Sequence, residues 1–128
     1  MNIRKSKNST TISLITIFTL SFILVIIRWI NIFNKNIYVI TEEINSHITN
    51  FTLSLIICTL IGYLLLCFNK KYKTIIILGI ILISTNLLYE TLLPFLNTID
   101  FIDALYGIIG VILSMIYLYI IDKKGFNN

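Results

Sequence analysis

The chain has 128 residues, of which 57% are hydrophobic and only 12% charged, against roughly 25% charged residues in an ordinary soluble domain. A mean hydropathy of +0.92 excludes a water-soluble globular domain and makes a bilayer the expected solvent. The net charge of +4 does not mark a nucleic-acid partner, because the basic residues form short clusters beside apolar runs, where they act as topology determinants.

The first apolar run, 9–33, follows Arg4, Lys5 and Lys7. It is too long for a signal peptide and has no small-x-small cleavage site, so it reads as an uncleaved span. In the polar stretch 34–50, Ile37, Ile40, Ile44 and Ile48 recur at helical spacing, and Thr41 stands where it can cap a helix whose first turn holds Glu42 and Glu43. Two readings are open there: a short interfacial helix, or a second span that starts early and projects outward. The second run, 51–68, ends at Asn69, Lys70, Lys71 and Lys73. The third, 74–93, stops at Pro94, whose ring cannot continue a helix. The fourth, 101–121, ends at Asp122, Lys123, Lys124 and Gly125. Each run of roughly 20 residues can cross a hydrocarbon core about 30 Å thick. The expected architecture is all-α: a four-span transmembrane helix bundle forming one domain.

Orientation follows from the positions of Lys and Arg, which accumulate on cytoplasmic flanks. Arg4, Lys5, Lys7, Lys70, Lys71, Lys73, Lys123 and Lys124 fall on one side of a four-span chain, and only Arg28 and Lys35 on the other. Both termini are therefore expected in the cytoplasm. The acids are distributed the opposite way: Glu42, Glu43, Glu90, Asp100 and Asp103 belong to the outer half, and only Asp122 to the inner.

Charged groups inside a span cost about 2.5–3.5 kcal/mol each on insertion scales and so point to a function or a partner. Arg28, Glu90 and Asp103 are such groups, all at similar depth near the outer boundary. Glu90 faces the negative end of its own helix dipole and needs a partner or a proton. Arg28 is the basic residue expected at that depth, and its guanidinium suits a carboxylate pair. Asp100 precedes an apolar run and reads as the N-cap of the fourth helix. Asp103 begins a face continued by Gly107, Gly110 and Ser114, while Gly79, Asn86 and Glu90 share a face of the third span. Such small residues allow close helix approach, so the two faces are expected to pack together and bring Glu90 near Asp103.

His47 is a lone histidine expected in a solvated loop. Ser54, Cys58 and Gly62 form a small-residue stripe on the second span. Cys58 and Cys67 lie too far apart along one helix for a disulfide. No CxxC, HExxH or glycine-rich phosphate motif occurs, so neither a metal nor a cofactor is expected.

From Glu90 onward, the acid near the end of one span, Pro94 in a short turn, Asp103, and Gly110 seven residues later resemble the VanZ-like family of small bacterial membrane proteins. The sequence departs from that pattern at Leu93, usually glutamine, and at Gly107, usually asparagine, and it has no arginine in the turn. The resemblance implies a multi-pass protein of the bacterial cytoplasmic membrane, acting at the cell envelope in a group linked to glycopeptide-antibiotic resistance. It assigns no enzymatic activity. The implied partners are the lipid bilayer and an envelope ligand. Two other readings of the same residues are a small transporter or channel subunit with an outer carboxylate site, and an interaction or immunity protein that docks a membrane-protein partner through its small-residue faces.

Overall fold

An apolar segment in hydrocarbon has to satisfy its backbone hydrogen bonds internally, and a helix does so within one segment. The computed structural model describes residues 3–92 and 100–127. The element order is α1 (Asn8–Phe33), α2 (Glu42–Cys67), α3 (Tyr72–Leu92) and α4 (Phe101–Lys124). All four helices are long and apolar enough to cross a membrane, which makes the chain an all-helical, multi-pass membrane protein. Leu93 and Pro94, where the third span was expected to stop, lie outside the described residues.

The second span starts early, at Glu42 instead of residue 51. Thr41 Oγ1 accepts the Ile44 N–H at 3.2 Å, and Glu42 and Glu43 occupy the first turn, where the helix dipole favours negative charge. A helix of 26 residues is about 39 Å long at 1.5 Å per residue, against a hydrocarbon core of about 30 Å. The excess falls at the polar first turns of α2, which hold Glu42, Glu43, Asn45, Ser46 and His47 and are poorly suited to the apolar layer. The connection from α1 is pinned to these turns: buried Asn45 accepts the Val39 N–H at 3.1 Å, and Asn31 donates to the Ile37 carbonyl at 2.7 Å. Ile40 turns the chain into the cap with a φ of 57°, an unfavourable conformation for a β-branched residue.

The most extensive helix contact is between α2 and α4, followed by α3 on α4, while α1 packs chiefly on α2. A Cβ added at Gly110 would press into the Phe51 carbonyl oxygen, so α4 meets the α2 backbone there. One turn on, the Ser114 hydroxyl donates to the Leu55 carbonyl at 2.8 Å and meets the Thr59 hydroxyl at 2.6 Å. Gly107 instead abuts Asn86 on α3, and Gly79 abuts Met115. The expected single face of Gly107, Gly110 and Ser114 is thus split between two neighbours. Three residues along a helix leave Gly110 about 60° around the axis from Gly107, enough to address a different helix. The α2 stripe is also internal: Gly62 lies under Leu118, and Cys58 under the Val111 carbonyl. Cys58 and Cys67 are both free thiols. Cys58, Leu66, Ile75, Val111, Leu118, Ile121 and Phe126 form the buried core.

Both terminal segments meet at one end. Ser6 and Phe126 form an antiparallel bridge, with Lys7 N–H donating to the Gly125 carbonyl and Asn127 N–H to the Lys5 carbonyl, each at 2.9 Å. The Arg4 guanidinium pairs with Asp122 at 2.8 Å and lies 4.0 Å from the centre of the Phe126 ring. The Arg4 N–H donates to the Cys67 carbonyl at 2.9 Å, which adds the α2–α3 turn to the same end.

Candidate functional site

The opposite end of the bundle is built around the polar start of α2. His47 and Asn50 are three residues apart and share a helix face. Each meets an acid from a different neighbour. Asn50 Nδ2 donates to Glu90 Oε1 of α3 at 3.2 Å, and His47 Nδ1 lies 2.8 Å from Asp103 Oδ1 of α4. Glu90 is only 4% exposed, so the carboxylate is held inside the helix packing and not turned out to water.

Asp100 is the N-cap of α4. Its Oδ1 accepts the N–H groups of Ile102 and Asp103 at 2.9 and 3.4 Å, and its Oδ2 lies 3.8 Å from His47 Nδ1. The His47 ring also packs against Tyr106, with ring centres 5.4 Å apart. His47 was expected to be solvated, yet its side chain is only 11% exposed. The early start of α2 makes the difference, because it puts His47 on a helix instead of in a loop. A sequence signal for this exists in the Thr41 cap and the Glu42–Glu43 first turn.

Arg28 takes no part in these pairings. It is half-buried on α1, and among the described residues no ion pair joins it to Glu90 or to Asp103. α1 packs chiefly on α2 and makes no substantial contact with α3. Of the three charged residues singled out in the sequence, Glu90 and Asp103 are gathered at one end by α2, and Arg28 stands apart from them.

Below Glu90, α2 and α3 part to form a cleft of about 210 Å³. Polar groups from both helices line it: Asn50 and Ser54 from α2, Asn86 and Glu90 from α3. Leu53, Ile57 and Leu82 supply apolar walls. Asn86 Nδ2 donates to Ser54 Oγ at 3.1 Å and to the Leu82 carbonyl at 3.0 Å, which fixes the amide. Leu53 and Ile57 are exposed on the outer surface of α2, so the cleft opens sideways, toward the lipid. At about 210 Å³ it is smaller than the roughly 300–1,000 Å³ of a pocket enclosing a drug-sized ligand.

The trio of His47, Asp100 and Asp103 was missed in the sequence because its members come from two helices 56 residues apart, a separation that no local motif describes. The chain matches no protein-family model, no curated protein and no solved structure.

Proposed function

We propose that this is a multi-pass protein of the bacterial cytoplasmic membrane, of the VanZ-like type, which takes the polar end of an outer-leaflet amphiphile into the cleft between α2 and α3. The observation that carries this reading is the buried carboxylate of Glu90 in a cleft that opens to lipid. A membrane-embedded acid is retained where it meets a ligand or a partner. Asn50 and Glu90 offer hydrogen-bonding groups to a hydroxyl or amine, while Leu53 and Ile57 continue the hydrocarbon surface toward an acyl chain.

The positive-inside rule supports the orientation. The eight Lys and Arg residues of the terminal segments and the α2–α3 turn favour placing that end in the cytoplasm, and hence Glu90 at the outer leaflet. The two alternative readings receive less support. Cys58, Leu66, Ile75, Val111 and Leu118 pack the bundle from its centre toward the end that carries the termini, which disfavours an ion path through one chain and leaves a channel only between copies. Gly107, Gly110 and Ser114 are occupied by α2 and α3, so that face is not free to dock a second membrane protein.

The test is expression in a bacterium susceptible to a glycopeptide antibiotic. The expected result is a raised inhibitory concentration with the unaltered chain, and loss of that rise with Glu90→Gln and with Ser54→Leu, which fills the cleft but keeps the acid. Equal susceptibility with and without the chain would overturn the reading.

A further inference from the structure

Above the cleft, at the polar first turns of α2, three side chains converge in a way the amphiphile reading does not use. His47 Nδ1, an oxygen of Asp100 and an oxygen of Asp103 all lie within 4.8 Å of one another. We infer that His47, Asp100 and Asp103 form a binding site for one divalent transition-metal ion of the zinc class.

The donor set is the first argument. One imidazole nitrogen from α2 joins two carboxylates from α4, a mixture that suits zinc, whereas calcium and magnesium prefer oxygen alone. Zinc bonds of about 2.0–2.2 Å imply ligand-to-ligand distances of about 3.3–3.5 Å in a tetrahedral site. The spacings from Nδ1, 2.8 Å to Asp103 and 3.8 Å to Asp100, fall on either side of that range. Shifts of a few tenths of an ångström at each side chain bring these two spacings to it, and the two carboxylate oxygens, which lie within 4.8 Å of each other, have to close by up to about 1.5 Å around the ion.

Orientation is the second. The Oδ1 of Asp100 is engaged by the α4 backbone, which leaves Oδ2 directed at the imidazole; a carboxylate held from behind in this way is a recurrent feature of metal sites. Tyr106 packs against the His47 ring. All three side chains are partly shielded, at 11%, 34% and 22% exposure, so a bound ion is held by protein yet open to water at its remaining position.

Charge is the third. Two carboxylates face one imidazole, and among the described residues neither Lys nor Arg makes an ion pair with any of the three. The positive end of the α4 dipole, equivalent to about half a charge, offsets only part of the local negative charge. A dication supplies the balance.

The experiment uses the full chain purified in detergent, stripped with a chelator and titrated with zinc chloride. The expected result is saturation at one ion per chain, a raised midpoint of thermal unfolding, and no comparable response to calcium or magnesium. Cobalt(II) should bind with a visible spectrum free of the charge-transfer band of a thiolate ligand, which separates this site from Cys58 and Cys67. Three conservative variants are chosen to keep the local contacts while removing one ligand each. His47→Gln keeps a donor to Asp103, Asp103→Asn keeps the shape, and Asp100→Ser keeps an N-cap. Each should weaken zinc binding by at least about 100-fold, beyond the roughly 10–100-fold cost of losing an outer-shell partner. Absence of saturable binding, or zinc uptake that persists in His47→Gln or Asp103→Asn, overturns the proposal.

Discussion

His47 Nδ1 lies 2.8 Å from Asp103 Oδ1, and this contact fastens the polar start of α2 to the first turn of α4. Three residues further along α2, Asn50 holds Glu90. One helix thereby governs the positions of both acids, and substitutions in α2 should disturb this end of the bundle more than substitutions in α1.

That ordering is measurable for Glu90. In a double-mutant cycle, Asn50→Ala and Glu90→Leu should be coupled by about 0.5–3 kcal/mol, as expected of residues in contact. Arg28→Met with Glu90→Leu should be additive to within about 0.5 kcal/mol. Unfolding in mixed micelles provides the readout, and strong coupling of Arg28 to Glu90 would show that the two meet after all.

Topology is tested by reporter fusions. A fusion at the C-terminus and one at Asn69 should report the cytoplasm, and one at Ser46 the outside, because eight of the ten Lys and Arg residues flank the first two sites or the N-terminus. An outside signal at the C-terminus would reverse the assignment of Glu90 and Asp103 to the outer face.

At Gly110, α4 lies directly against the α2 backbone. Gly110→Ala should destabilise the bundle by about 1–3 kcal/mol, the usual range for overpacking, because its Cβ would press on a main-chain oxygen that cannot rotate aside. Ile109→Leu, at a position 49% exposed, should be nearly neutral. The midpoints of thermal unfolding of the two variants give the comparison, and equal midpoints would mean that α2 and α4 do not meet at this glycine.

Arg4 joins an ion pair to Asp122, a hydrogen bond to the Asp122 carbonyl at 3.1 Å and the face of Phe126. Arg4→Lys should weaken this clasp even though the charge is kept, since a lysine cannot reproduce the planar fork. The loss should be about 1 kcal/mol, because both side chains are partly exposed. Faster hydrogen exchange at the amides of residues 4 and 7 and of Asn127 is the expected signature; unchanged exchange would place the clasp outside the folded unit.

The helices were legible because hydrophobic runs of membrane length have few alternative structures. The early start of α2 was half legible: the Thr41 cap and the acids after it were visible, but whether residues 42–50 continued the span depended on tertiary contacts such as those of Asn45 and His47. The pairing of the acids was not legible. Arg28 and Glu90 match in depth and in charge, yet depth does not say which helices are neighbours, and α1 lies chiefly against α2. For the same reason Gly110 was expected to face the third span. Small residues mark a close contact without naming the partner.

The clasp at the terminal end has a consequence for the order of assembly. The partners of residues 4–7 include Cys67, Asp122, Gly125, Phe126 and Asn127, and four of these five lie in the stretch 122–127, at and beyond the last turn of α4. Synthesis runs from the N-terminus, so residues 4–7 are made well before most of their partners and are secured only once the fourth span has been made. Until then α1 is attached chiefly through its packing on α2. A truncation that removes residues 122–127 should therefore leave the N-terminal segment open to protease even when all four spans are in the bilayer, which makes closure of the clasp a marker of finished insertion.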